Sequence, residues 1–124
     1  MKTKFILLAS IALVASCSDP NMHKNDDGSY TVNTTEICPD IRGYNRRVPA
    51  AVTFKGDQII NVEILENKET PEYLEMVERQ MLPKFKGIAI SELNSIDGVS
   101  GATFSSRALK RNVETAAKYY QEKK

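Results

Sequence analysis

The segment VPAAVTFKGDQIINVEIL, residues 48–65, decides the expected fold, because its apolar side chains alternate on both sides of a glycine-containing turn. The first half places one apolar residue at every second position, namely Val48, Ala50, Val52 and Phe54. After the turn at Lys55-Gly56-Asp57, Ile60, Val62 and Ile64 line one face of the return strand, with Ile59 and Leu65 on the other. This pattern predicts an antiparallel β-hairpin whose second strand is partly covered on both sides.

Upstream of the hairpin, the sequence predicts one more strand and a loop. Residues 29–35 alternate and are rich in β-branched side chains, which is typical of a strand. Residues 38–47 contain Pro39, Gly43 and Asn45, which interrupt regular structure and indicate a loop.

Downstream of the hairpin, the pattern changes to helices. Thr70-Pro71-Glu72 has the N-cap hydroxyl, the first-turn proline and the acid of a helix start, and Pro83 predicts the end of that helix. A last helix is expected from about Ser105 to Tyr120, with an apolar stripe formed by Ala108, Leu109, Val113, Ala116, Ala117 and Tyr120. The expected fold is therefore α+β, a small antiparallel sheet with a central hairpin packed against two or three helices.

Length and composition restrict the class of protein. A chain of 124 residues has room for one domain, and 41% hydrophobic with 27% charged residues is ordinary for a globular protein. A formal net charge of +1 gives no basic footprint for nucleic acid, so no nucleic acid partner is expected. His23 is the only histidine and lies in a polar segment, so no metal site is expected.

The N-terminus has the pattern of an export signal. A short basic region with Lys2 and Lys4 precedes an apolar run at residues 5–13, which is too short to span a membrane. Small residues then lead directly to Cys17, so the segment resembles a bacterial lipobox in which residues 1–16 are the signal peptide and Cys17 is lipidated. The alternative is an ordinary signal peptide with a chance cysteine.

The lipoprotein interpretation places the chain in the bacterial cell envelope, on the periplasmic or the outer-membrane face. Once residues 1–16 are removed, 15 basic and 16 acidic residues remain, so membrane attachment would come from the lipid rather than from a basic patch. Residues 17–27 are predicted to be the lipidated cysteine and a polar tether, and residues 28–124 the folded domain. Cys38 then has no partner for an intramolecular disulfide, and a small buried apolar role is expected for it.

A second stretch, Asp97-Gly98-Val99-Ser100-Gly101-Ala102-Thr103, carries the candidate site. Its glycines allow backbone amides to approach a ligand closely, and the helix start that follows at Ser105-Ser106 offers unpaired N–H groups to an anion. The stretch is a candidate oxyanion site. A purely structural interpretation also fits, in which Thr103 is an N-cap hydroxyl and Asp97 a turn-forming side chain.

The pattern Asp97-x-x-Ser100-Gly101-Ala102-Thr103 resembles the flavinylation motif of the FMN-binding domain family. Related domains occur in the C subunit of the sodium-pumping NADH:quinone reductase, in the G subunit of the Rnf complex and in small envelope lipoproteins. The resemblance extends over residues 27–120, with landmarks at Asp27-Gly28-Ser29-Tyr30-Thr31-Val32, Gly43-Tyr44-Asn45, the hairpin to Glu63, Glu69-Thr70-Pro71 and Ser105-Ser106.

The resemblance implies a covalent FMN on Thr103. A separate flavin transferase would use FAD as donor, join FMN to the Thr103 hydroxyl by a phosphodiester bond and release AMP. It implies cofactor contacts by Ser100, Gly101 and Ala102, phosphate accommodation by the backbone amides around Ser105 and Ser106, and an Asp97 that orients the loop or assists the transferase. The expected protein is an electron carrier rather than an enzyme, with membrane or envelope redox proteins as donor and acceptor.

Two other functions and one departure from the family remain open at this point. The chain could instead be a flavin-dependent reductase of a small substrate, or a non-redox envelope lipoprotein that serves as a binding module. After Gly43-Tyr44-Asn45 many members continue with small residues, whereas this chain has Arg46-Arg47. These arginines either contact the flavin phosphate or ring, or are simply solvated, and solvation is the preferred interpretation because both lie in a loop without a recognised motif.

Overall fold

The computed structural model describes residues 19–124 and has an α+β architecture, as predicted. Its strands are β1 Met22–Lys24, β2 Tyr30–Asn33, β3 Ala50–Lys55 and β4 Gln58–Ile64, which form one antiparallel sheet in the order β1-β2-β3-β4. Its helices are α1 Pro71–Gln80, α2 Leu82–Phe85, a 3₁₀ helix Ile90–Ser95 and α3 Thr103–Lys123. The predicted signal peptide and Cys17 lie outside the described residues.

The predicted hairpin is formed by β3 and β4, but a β-bulge changes which side chains of β4 face the core. Val52 pairs with Val62 and Thr53 with Asn61, whereas Phe54 pairs with Ile59, so Ile60 is an extra residue in β4. An extra residue reverses the alternation of faces on one side of the bulge. Ile59, predicted on the face opposite Val62, is therefore fully buried in the same core.

The structure differs from the predicted polar tether at residues 22–24, which form the edge strand β1. Met22 pairs with Val32 and Lys24 with Tyr30, and the Asn33 amide donates to the carbonyl of Asn21 at 2.9 Å. Periodicity failed to reveal this strand because only its first residue is apolar, and its stability comes from pairing with β2.

The helix after the hairpin starts at Pro71 as predicted, but without the predicted side-chain cap. The amides of Tyr73 and Leu74 donate to the carbonyl of Thr70 rather than to its hydroxyl. The helix ends at Gln80, and Pro83 lies inside α2 instead of ending α1. Proline is tolerated there because the first turn of a helix does not use its backbone N–H groups.

Helix α3 packs its apolar stripe against β2 and β3 and closes the core. Near its C-terminus the Tyr120 ring stacks on Phe54, with ring centres 4.5 Å apart, and the Tyr120 hydroxyl donates to the Gly56 carbonyl at 2.7 Å. Cys38 is buried as expected, and burial raises the pKa of its thiol. Within residues 19–124, no helix is both long and apolar enough to cross a membrane.

Candidate flavin site

The turn before α3 requires glycine at position 101 for two reasons. Its φ is +90°, in the left-handed region that favours glycine, and a Cβ there would lie 2.9 Å from the terminal methyl of Met76 in α1. The Ala102 amide donates to the Val99 carbonyl at 3.0 Å and closes the turn. The chain then enters α3 at Thr103, two residues before the predicted start.

The Thr103 side chain is available for chemistry. Ala102, not Thr103, is the N-cap residue, so the interpretation of Thr103 as an N-cap hydroxyl is wrong. Thr103 is exposed, and its hydroxyl makes no hydrogen bond within residues 19–124. A hydroxyl in this state is accessible to an external enzyme, and a hydroxyl nucleophile needs activation by a base or a metal.

Asp97 and Ser100 are also exposed on the turn. The Asp97 carboxylate accepts no hydrogen bond from any of the described residues, so the structure does not assign it the turn-forming role. Both side chains lie where an approaching protein can contact them, but of the two only Ser100 lines a cleft beside Thr103.

Ser105 and Ser106 have structural roles that the sequence did not indicate. Both are buried, and the Ser106 hydroxyl accepts from the Val99 amide at 3.1 Å and donates to the Thr103 carbonyl at 3.2 Å. The Ser106 amide bonds the Ala102 carbonyl at 2.9 Å, so it is not available to a phosphate. The amides without an intrahelical partner are those of Thr103, Phe104 and Ser105, the first three of α3.

A buried carboxylate, Glu69, ties the loop at residues 44–46 to the start of α3. It is 3% exposed and accepts from the amides of Tyr44, Asn45 (2.8 Å) and Arg46 (3.0 Å). The Thr70 amide at 3.1 Å and the Ser105 hydroxyl at 2.9 Å complete its shell. Burial alone would raise the pKa of Glu69, but the hydrogen bonds from these amides and from the hydroxyl hold it below its ordinary value.

Gly43 owes its identity to the same carboxylate. A Cβ at this position would collide with Oε2 of Glu69 and would also lie 3.1 Å from a methyl group of Val48. The Gly43-Tyr44-Asn45 landmark is thus explained: the glycine leaves space for Glu69, and the next two residues donate their amides to it.

On one side of Thr103 lies an aromatic cleft of about 210 Å³. Its aromatic lining consists of Tyr44, Tyr73 and Phe104, and the rest of it comes from residues 101–103 and Ser105. Tyr44 and Phe104 are 53% and 55% exposed, so both rings offer apolar surface to a ligand in this cleft. The rings of Tyr44 and Tyr73 meet edge to face with centres 5.0 Å apart.

On the other side of Thr103 lies a polar cleft of about 500 Å³, to which Arg107 and Lys110 contribute positive charge. The Lys110 ammonium donates to the carbonyls of Ile96 (2.8 Å) and Asn94 (3.2 Å), which fixes it beside the turn. The Arg107 guanidinium lies 5.9 Å from the centre of the ring of Phe104, which lines the aromatic cleft.

These two clefts fit the two parts of FMN. A planar, largely apolar isoalloxazine ring suits the aromatic cleft, and a phosphate suits the cationic side chains and the free amides at the start of α3. Both clefts border Thr103, where a phosphodiester would join the parts to the chain. Within residues 19–124, no group of three or more His, Cys, Asp or Glu side chains is placed to hold a metal ion.

Residues 43–118 match the family model described as FMN-binding domain, which covers more than half of the chain. The chain belongs to the FMN-binding domain family. The matched range begins at Gly43 and includes Glu69 and Thr103, and membership supports FMN as the cofactor. No curated protein and no solved structure matches the chain.

Several residues of the site were missed by the sequence analysis, which quoted Glu69 and Tyr44 only as landmarks and gave no role to Tyr73, Phe104 or the charges on α3. Phe104 offered a signal, because it is a large apolar residue directly after the motif threonine. Glu69 offered none, since its donors lie 23–36 positions away in the sequence except for Thr70.

Proposed function

We propose that this protein is an extracytoplasmic, lipid-anchored flavoprotein that carries FMN covalently on Thr103 and relays electrons between redox partners of the membrane or envelope. The observation that carries the proposal is the exposed Thr103 hydroxyl, which makes no hydrogen bond within residues 19–124. It lies between the aromatic cleft and the polar cleft, in a chain of the FMN-binding domain family.

The attachment reaction transfers FMN from FAD to the Thr103 hydroxyl. The Thr103 hydroxyl oxygen forms a new bond to the phosphorus of the FMN part of FAD, the bond from that phosphorus to the bridging oxygen breaks, and AMP leaves. A flavin transferase supplies the base that accepts the hydroxyl proton. Gly101 and Ala102 leave the hydroxyl uncovered, and the amides of Thr103, Phe104 and Ser105 can stabilise the phosphodiester negative charge.

The residues around Thr103 then hold and shield the cofactor. Tyr44, Tyr73 and Phe104 provide the apolar contact surface for the ring, and Arg107 provides positive charge near the phosphate. FMN supplies one- and two-electron transfer when bound, while the protein supplies attachment and tuning of the potential. Neither cleft encloses a deep substrate cavity, which favours an electron carrier over a reductase of a small substrate.

The envelope location rests on the export pattern of residues 1–16 and on the small residues before Cys17. Covalent attachment suits that location, because a freely dissociating cofactor would be lost outside the cytoplasm. The implied partners are a flavin transferase, a donor protein and an acceptor protein, with the membrane reached through the lipid.

The test is co-expression of the full chain with a flavin transferase and an export pathway, followed by intact-mass analysis and in-gel flavin fluorescence. We expect a fluorescent band and a mass increase of one FMN less one water. Thr103→Ala should remove both signals, whereas Ser95→Ala, which deletes an exposed hydroxyl outside the motif and both clefts, should retain them. A wild-type chain without adduct, or an adduct that survives in Thr103→Ala, contradicts the proposal.

A further inference from the structure

Arg46 and Arg47, the residues that depart from the family pattern, line neither cleft beside Thr103. They border a separate groove of about 260 Å³ together with Arg42 and Lys68. Pro49 contributes an apolar wall, and Glu66 is the one acidic side chain of the lining. We propose that this basic groove is the docking surface for an acidic face of a redox partner protein. The inference rests on the proposed function, because it names the kind of partner that the flavin site serves.

The charge of the groove is not neutralised by the protein itself. None of the four cations forms an ion pair within residues 19–124, where the one salt bridge joins Lys124 to Asp57. Four cations and one acid therefore lie together on a chain that carries 15 basic and 16 acidic residues after position 16. A local excess of one sign on a nearly neutral chain attracts an oppositely charged partner.

The arginines of the groove differ in how their side chains are held. A terminal nitrogen of the Arg47 guanidinium donates to the Thr35 carbonyl, which fixes the side chain along the groove. Arg42 and Arg46 are exposed, and their side chains make no hydrogen bonds within residues 19–124. Guanidinium groups in this state favour carboxylates of a partner.

The loop at residues 44–46 connects the groove to the flavin site. Tyr44 lines the aromatic cleft, and Arg46, two residues later, lines the groove. The amides of both residues bond the Glu69 carboxylate, which also accepts from Ser105 at the start of α3. A partner seated on the groove would therefore lie beside the exposed Tyr44 and the flavin site.

A small anionic substrate fits this arrangement less well than a protein. No residue lines both the groove and either cleft at Thr103, so a small molecule bound in the groove would be separated from the flavin by the loop. A protein interface at the small end of the range for transient redox complexes is wide enough to cover the groove and the aromatic cleft together.

The first test measures how charge controls electron transfer from the full-length, flavin-loaded protein. Fully reduced FMN gives its two electrons to two ferricyanide ions, which become ferrocyanide, and its protons go to the buffer. We expect oxidation by anionic ferricyanide to slow as salt is added, and Arg42→Gln/Arg46→Gln to reduce its low-salt rate about fivefold. Oxidation by cationic hexaammineruthenium(III) should become faster in the same variant.

The matched control is Lys55→Gln/Lys118→Gln, which removes the same charge from exposed positions outside the groove. We expect its ferricyanide rate to stay within about twofold of wild type, because Coulomb attraction weakens with distance and both lysines lie outside the groove and the clefts at Thr103. Flavin fluorescence is measured first for every variant. If both double variants contain as much flavin as wild type and show the same salt dependence, the docking surface is overturned and the proposed carrier function is unaffected. If wild type contains no flavin, the proposed function itself is overturned.

The second test does not depend on flavin. Isotope-labelled full-length Thr103→Ala, which has no hydroxyl for attachment, is titrated with ferrocyanide and then with an acidic c-type cytochrome while amide NMR shifts are followed. We expect saturable shifts at residues 42–47 and 67–68 with both probes, which disappear at high salt and in the Arg42→Gln/Arg46→Gln background. Shifts with ferrocyanide alone identify a small-anion site and overturn the proposal of a protein partner.

Discussion

The Glu69 side chain shows how one buried charge can fix the geometry of a site built from distant segments. All five of its hydrogen-bond partners are donors, and they belong to the loop at residues 44–46, to Thr70 and to Ser105. A carboxylate accepts at both oxygens, so it can serve all of them at once. The aromatic cleft depends on this arrangement, because Tyr44 and Ser105 both line it.

We therefore predict that Glu69→Gln lowers the free energy of unfolding by about 3 kcal/mol, because an amide nitrogen that donates would face backbone N–H groups. Urea unfolding followed by circular dichroism measures this difference. Glu66→Gln, an exposed change of the same kind three residues away, should shift stability by less than about 0.5 kcal/mol. Equal effects of the two variants would show that the donors to Glu69 do not need its charge.

The same carboxylate predicts a pH dependence of known sign. Since the pKa of Glu69 is lower in the folded protein than its ordinary value of 4.5, its contribution is fully present above that value. The contribution is lost as the pH falls through the folded-state pKa, because a protonated acid can no longer accept at both oxygens. The gap in unfolding free energy between wild type and Glu69→Gln should be constant near neutral pH and should narrow below about pH 4.5. A gap that stays constant under acidic conditions contradicts this assignment.

At the scale of elements, the sequence predicted what local patterns determine. The β3–β4 hairpin, α1 and α3 follow from periodicity and from the proline and glycine positions, all of which are local signals. The bulge at Ile60 and the strand β1 depend on pairing with another strand, so no local pattern revealed them. In the site, the Thr103 motif was recognised from its sequence, whereas Glu69 and the aromatic cleft required the packing of distant segments.

The start of α3 depends on one buried side-chain hydroxyl. The Ser106 hydroxyl satisfies the buried Val99 amide, so Ser106→Ala leaves that N–H without a partner inside the turn that carries the motif. We expect a loss of about 1–3 kcal/mol in unfolding free energy, measured by chemical denaturation. Ser95→Ala is the comparison, because it removes an exposed hydroxyl that only donates to the Glu92 carbonyl, and it should cost less than about 0.5 kcal/mol. A neutral Ser106→Ala would mean that water replaces the hydroxyl in the turn.

For the molecule as a whole, β1 brings the start of the folded domain close to the proposed lipid anchor at Cys17. The carbonyl of Asn21 is already bonded to the sheet, and the Tyr119 hydroxyl donates to the Asp19 carboxylate, whose two oxygens lie 2.6 and 2.8 Å from it. A lipidated Cys17 would thus be separated from the sheet by four residue steps, at most about 14 Å. Tyr119 and Thr103 lie sixteen positions apart in α3, about 24 Å along its axis. A partner at the proposed flavin site would therefore bind about that far from the contact between Tyr119 and Asp19, which lies near the proposed anchor.

Residues 19–27 decide where the folded domain begins. If residues 19–27 belong to the fold, a chain that starts at residue 28 loses β1, its partly buried Met22 and the Asp19–Tyr119 contact, and it exposes the edge of β2. We expect residues 28–124 to be about 1–3 kcal/mol less stable than residues 19–124 in urea unfolding. Tyr119→Phe in the longer chain separates the contributions, since it removes only the half-buried hydrogen bond to Asp19 and should cost about 1 kcal/mol or less. Equal stability of the two chains would restore residues 19–27 to the role of a tether, because a strand that contributes no free energy cannot hold the anchor against the domain.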